Sequence, residues 1–173
     1  VTAADLASGA ITSAALPVGT VVGGAMNYNS TAYTSTSGAK YTVTSASYTP
    51  KFESGDSDIY LFGVVAHGLG PAGVSLDSYG FQVGFDINGS NTGVAQYADV
   101  FAGSGSGVVY GPEYDVRTTC INYKHTGSWT AGTAITFGIY ADGDSTGGIF
   151  INRSYASTAN NGTSSIHVLE IKK

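Results

Sequence analysis

Charge is what this chain has least of. Asp, Glu, Lys and Arg together make 11% of its 173 residues, and only seven of these are basic. The basic residues are scattered apart from Lys172-Lys173, so no stripe exists that would neutralise a phosphate backbone, and nucleic acid is excluded as a partner. Cysteine is nearly absent. Cys120 alone cannot form an intrachain disulfide, and its place beside Ile121 in a strand-like run predicts a buried, reduced thiol. Long hydrophobic runs are missing too: Ile59–Val74 is broken by His67, Pro71 and four glycines, which excludes membrane insertion by a helix. The strong helix formers Glu, Lys, Arg, Gln and Met are sparse, leaving no amphipathic stretch of helical length.

What is present points to strands. Apolar residues make up 42% of the chain with a net charge of only −5, the balance of a folded protein rather than a disordered one. Gly (25), Tyr (12) and many Ser and Thr accompany Val-, Ile- and Phe-rich segments, the composition of an all-β domain with neutral, hydroxyl-rich surfaces. Residues 27–38 read as a loop. Lys40–Tyr48 alternates, with Tyr41, Val43, Ala46 and Tyr48 on one side only if a bulge restores the phase. Asp58–Ala66 is a continuous apolar run, as expected of a strand covered on both faces. Tyr79–Ile87 places Phe81, Val83, Phe85 and Ile87 in strict period two, with Gln82, Gly84 and Asp86 opposite, before an Asn88-Gly89 turn. Gly93–Phe101 and Tyr114–Tyr123 are further strand candidates. Ala134–Tyr140 alternates through Ile135, Phe137 and Ile139, and the Asp142-Gly143 turn signal predicts a hairpin with Gly148–Arg153. Ser165–Ile171 closes the series with Ile166, Val168, Leu169 and Ile171 directed inward. Eight to ten short strands predict a jelly-roll-like antiparallel β-sandwich over residues 21–173.

Residues 1–20 differ from the rest. Val1–Ala10 and Ile11–Thr20 are copies of one ten-residue unit, matching at Val1/Ile11, Thr2/Thr12, Ala4/Ala14, Leu6/Leu16 and Gly9/Gly19, and Val21 opens what would be a third. One large apolar residue every five positions makes no face that closes on itself, so such a unit orders by stacking on neighbours or on another chain. An extended arm or stalk is expected, with Val1, Leu6, Ile11, Leu16 and Val21 as its oligomerisation contacts. A flexible small-residue leader is the competing reading. The chain opens on Val, so a processed product or part of a longer protein is expected.

These tandem Val/Ile-Thr-x-x-x-Leu-Ala-x-Gly-Ala units resemble the connecting repeats of bacteriophage tail fibres and related virion appendages. The second half is similar to the close of a domain family of phage virion proteins: Trp129–Ala141, then Ile151-Asn-Arg-Ser154, then Ser164-Ser-Ile-His-Val-Leu-Glu-Ile171. The resemblance covers both ends of the chain and leaves about Ala66–Asn122 unmatched. It implies a homotrimeric, extracellular virion domain without known catalytic residues.

Catalytic and metal motifs match loosely. Gly68-Leu-Gly-Pro-Ala-Gly73 has the G-x-G-x-x-G spacing, but a strand or loop follows it where a dinucleotide site requires a helix. His67, His125 and His167 lack paired ligand spacing, and the carboxylate pairs Asp56/Asp58, Glu113/Asp115 and Asp142/Asp144 sit where turns favour Asp. The run from Asp86 begins like a calcium loop and ends on Tyr97 where a bidentate Glu is required. No catalytic residue, metal or cofactor is expected. Tyr79, Tyr97, Tyr110 and Tyr114, in or beside the Gly-rich middle, offer rings that stack on sugars and hydroxyls that bond them, and are the candidate ligand-binding residues. The expected function is a virion adhesive tip that attaches to a host receptor or glycan and binds other virion proteins. The alternative is a non-catalytic capsid or tail decoration protein whose arm inserts between subunits.

Overall fold

The computed structural model describes residues 16–35, 40–68, 80–89, 98–101, 116–143, 149–154, 157, 159 and 161–173. Within them the chain forms ten strands: β1 (Val21–Asn29), β2 (Tyr33–Ser35), β3 (Tyr41–Tyr48), β4 (Ser57–Gly68), β5 (Gly80–Ile87), β6 (Ala98–Phe101), β7 (Val116–His125), β8 (Ile135–Gly143), β9 (Ile149–Ile151) and β10 (Ser164–Lys172). Four antiparallel pairs nest inside one another along the chain: β1 with β10, β3 with β8, β4 with β7, and β5 with β6. Folding that long ribbon over itself gives one sheet ordered β1-β10-β4-β7 and a second ordered β3-β8-β5-β6, a jelly-roll β-sandwich. The short strand β9 continues beyond β10 along β4, with Ile151 opposite His67, and carries β2 on its other side.

Period-two side chains explain the core. Val43, Ile59, Leu61, Val65, Val83, Phe85, Phe137, Ile139, Ile166 and Val168 are all essentially buried between the sheets. Each such side chain contributes about 1.5–3 kcal/mol through burial. The phase change in β3 is a bulge between Thr42 and Thr44, which buries Val43 and Thr44 together and returns Ala46 and Tyr48 to the inner face. Beside it, Asn27 and Asn29 of β1 donate their side-chain amides to the Ser45 and Val43 carbonyls, both at 2.8 Å, closing one open side of the sandwich.

Several expectations are corrected. Residues 27–38 are not simply loop, because β1 runs to Asn29 and β2 follows. Asp142-Gly143 does not turn a hairpin: β8 continues through Gly143, and β9 pairs with β2 and β4 in the other sheet. Asp86 does not face open water; it is 4% exposed, with Lys40 Nζ at 3.5 Å. Cys120 is exposed, since strict alternation in β7 turns Ile121 inward. Leu169 and Ile171 stay on the outer face and Glu170 is buried between them, because β10 runs without a bulge.

Candidate functional site

The register fixes two poles. At one lie the start of β1, the end of β10, the start of β4 and the end of β7, with Val21 opposite Ile171, Lys172 opposite Ser57 and Ile59 opposite His125. The close of the N-terminal repeat is tied here: the Gly19 amide donates to the Lys172 carbonyl at 2.8 Å, and the Lys172 amide to the Thr20 carbonyl at 2.9 Å. At the opposite pole β4 ends at Gly68, β5 begins at Gly80, β6 ends at Phe101 and β7 begins at Val116.

The outer face of β1-β10-β4-β7 mixes large apolar side chains with few charges. Three rows cross it: Gly24, Leu169, Tyr60 and Lys124; then Met26, His167, Phe62 and Asn122; then Tyr28, Ser165, Val64 and Cys120. Met26 is 58% exposed, Tyr28 64% and Phe62 44%, so three large side chains stand in water on one face, with His167 between Met26 and Phe62. Its charges meet at the arm-pole corner, where Lys124 Nζ lies 2.7 Å from Asp58 Oδ2. Lys173 Nζ reaches Asp58 Oδ1 at 3.2 Å. Partial burial pushes the Asp58 carboxyl up, but the two ammonium groups together outweigh it and hold it below its ordinary range.

Next to that corner is a polar cleft of ≈ 300 Å³, bounded by Asp58, Lys124, His125, Ser128 and Trp129. The His125 ring stacks on Trp129 with centroids 5.3 Å apart and meets Phe137 edge-on at 5.7 Å. Trp129 is held by its indole N–H, which donates to the Phe52 carbonyl at 3.0 Å. Burial pushes the His125 pKa down, which keeps the ring neutral, and its Nδ1 has no hydrogen-bond partner among the described residues. Asp58 is occupied by two cations, Trp129 is locked beneath the histidine, and among the described residues no hydrogen bond joins His125 Nδ1 to a hydroxyl of the cleft. A histidine–hydroxyl contact occurs elsewhere, His67 Nε2 to Thr119 Oγ1 at 3.0 Å. Burial pushes His67 down to about 4, too weak a base to activate an alcohol near neutral pH.

The motif residues behind the family resemblance serve the architecture. Asn152 is fully buried with φ at 57°. Its amide donates to the Asn29 and Thr31 carbonyls at 2.9 and 3.1 Å, and its Oδ1 accepts from Ser164 Oγ at 2.6 Å. Ser164 Oγ in turn accepts the Ala66 amide at 3.0 Å. Arg153 reaches Thr34 Oγ1 at 2.8 Å, fastening β2. Glu170, also fully buried, accepts four hydrogen bonds. Tyr48 Oη and the Lys51 amide donate to Oε2, both at 2.7 Å, while Ser57 Oγ and the Phe52 amide donate to Oε1 at 2.6 and 3.0 Å. Burial, then the Glu170 bond and charge, push the Tyr48 phenol pKa up.

Of the residues expected to bind ligand, Tyr79, Tyr97, Tyr110 and Tyr114 lie outside the described residues. So do Val1, Leu6 and Ile11 of the arm. Leu16 is half-buried at the arm pole, and Val21 is 58% exposed at the start of β1. Tyr123 packs with its ring 6.3 Å from that of Phe85. Sequence reasoning missed the outer face, because Met26 and Tyr28 stand in a Gly- and Asn-rich strand with no apolar periodicity. The one available signal was β4, whose unbroken apolar run asks for cover on both sides. No protein-family model matches the chain, and no curated protein matches it in sequence.

Proposed function

We propose that this chain is the adhesive domain of a phage virion appendage, a homotrimeric tail-fibre tip that attaches to a host surface glycan or receptor. The observation that carries this reading is the separation of the poles. The repeat that resembles fibre connectors joins the sandwich at one end, tied to β10 through Gly19 and Thr20. The strand ends flanking the segments that contain Tyr79, Tyr110 and Tyr114 lie at the other. Tyr97 departs from this pattern, because the strand ends flanking its segment, Ile87 and Ala98, lie towards the arm. A domain held at one pole and reaching outward from the other suits adhesion, in which several weak sites on one stalk raise avidity without new contacts. Jelly rolls serve in both capsids and lectins, so the fold alone supports the reading only by analogy.

The test is immunogold labelling of intact particles with antibody to residues 21–173, together with binding of the assembled protein to host cells. Label at the outer ends of tail appendages, and cell binding lost in the Tyr110→Ala/Tyr114→Ala variant, are the expected results. Label spread over the capsid shell with no cell binding would replace this reading with that of a decoration protein.

A further inference from the structure

We infer that the outer face of the β1-β10-β4-β7 sheet is the surface through which copies of this chain associate. The inference rests on the homo-oligomeric reading above and deepens it, because the contacts expected from the sequence lay in the arm alone. Three observations bear on it.

The sequence of β4 is that of a strand covered twice. Ile59, Leu61 and Val65 bury one side, and Tyr60, Phe62 and Val64 make the other equally apolar, yet Phe62 remains 44% exposed in the single chain. Natural sheets with one wet face carry mainly polar side chains there. Here Lys124, His167, Asn122 and Ser165 share the face with Met26, Tyr28, Tyr60, Phe62, Val64 and Leu169, so large apolar groups hold six of its twelve central positions.

Charge favours a second copy over a different partner. A surface that meets itself must be self-complementary, so unpaired charge near its centre would face its own kind. The formal charges of this face gather at one corner, where Asp58 lies 2.7 Å from Lys124 and 3.2 Å from Lys173. Its most exposed apolar side chains are Met26 and Tyr28 on the edge strand β1 and Phe62 on β4, with His167 between Met26 and Phe62.

The area is sufficient. Four strands at about 4.8 Å spacing and about nine residues at about 3.3 Å rise span roughly 19 by 30 Å, or about 570 Å². Two such faces bury about 1,100 Å² in total, above the roughly 1,000 Å² that a specific interface needs. The exposed Val18 and Val21 add apolar surface at the arm pole.

The experiment uses residues 1–173, with mass in solution measured by analytical ultracentrifugation and the alkylation rate of Cys120 by a maleimide as a second readout. Cys120 is exposed and stands on the far row of this face. The expected result is an assembled parent in which Cys120 is protected. The Met26→Glu/Phe62→Glu variant should be monomeric with Cys120 freely reactive and its circular dichroism unchanged. A charge on the opposite sheet, Thr136→Glu, should leave mass and protection as in the parent. A monomeric parent, an outer-face variant that keeps the parent's mass, or dissociation by Thr136→Glu to the same extent would each overturn the inference. A dimer or other even-numbered assembly would support the face and count against a simple trimer, whereas a trimer would overturn the inference, because a threefold ring brings two different surfaces together. Should the outer-face variant unfold, rapid alkylation of Cys120 in the assembled parent would overturn it, and protection there would uphold it. Failure on this test leaves the labelling result on virions unaffected.

Discussion

Replacing Glu170 by glutamine changes one acceptor oxygen into an NH₂ group at the most heavily bonded side chain of the core. Each oxygen accepts one hydroxyl and one backbone amide: Tyr48 and Lys51 on Oε2, Ser57 and Phe52 on Oε1. Whichever way the glutamine amide is turned, the hydroxyl on its nitrogen side can rotate and accept. The backbone N–H there cannot, so one buried donor is left facing another donor. An unsatisfied buried donor costs about 1–3 kcal/mol, and the remaining bonds lose the extra strength of a charged acceptor. Relief of the buried charge offsets part of this, leaving a net loss of about 2–4 kcal/mol. For a chain of this size about 3 kcal/mol lowers Tm by roughly 6–12 °C. Urea unfolding followed by circular dichroism measures it, with Tyr48→Phe in both backgrounds completing a double-mutant cycle. Tyr48→Phe alone should cost about 1–2 kcal/mol, with a coupling to Glu170→Gln clearly different from zero. A glutamine variant within about 0.5 kcal/mol of the parent would refute the reasoning, since the buried amides would then not need the carboxylate.

Other outcomes follow from the same geometry. His67 titrates near 4 when folded against an ordinary 6.5, with His125 shifted the same way, so below pH 6.5 the unfolded chain binds protons that the folded chain refuses. Stability is therefore complete above pH 6.5 and falls as pH drops towards 4. His67 alone removes about 3 kcal/mol by then, and urea midpoints that stay flat between pH 7 and 4.5 would contradict this. Asn152→Ala should cost at least about 3 kcal/mol, combining lost bonds with a left-handed backbone that alanine resists. Asn152→Gly loses only the bonds and should be about 1 kcal/mol milder by the same denaturation assay. At Gly63 an added methyl would meet Ile139 Cδ1 at 2.6 Å and Ile121 Cγ1 at 2.9 Å, so Gly63→Ala should destabilise by about 1–3 kcal/mol in thermal melts.

The sequence made the inner faces readable because alternation reports burial directly. Val43, Phe85, Phe137 and Ile166 all lie where period two placed them, and the bulge in β3 was deducible from its broken phase. Polar residues deep in the sandwich were not readable in the same way. Asp86 and Glu170 look like solvent positions in a strand pattern, and only partners far along the chain, Lys40, Tyr48 and Ser57, make their burial tolerable. The false hairpin at Asp142-Gly143 arose because a turn signal is local, whereas the pairing of β9 with β2 and β4 is decided by tertiary contacts. Leu169 and Ile171 were turned inward by an expectation that apolar side chains are buried, which the unbroken alternation of β10 overrides.

The pairing of β1 with β10 sets the order in which this fold can be made. Tyr28 and Ser165 are register partners separated by most of the chain, and β10 lies between β1 and β4, using both of its edges. Until β10 leaves the ribosome, β1 has no ladder partner and the β10 edge of β4 stays open. At about 5–20 residues per second, roughly 140 residues separating the partners correspond to about 7–28 s of synthesis. A nascent chain in that interval exposes unpaired strand edges, and contacts this distant fold slowly. Closure of the sandwich thus waits for β10, and a folding helper that shields β1 during the wait would raise the yield more than one acting on the finished domain.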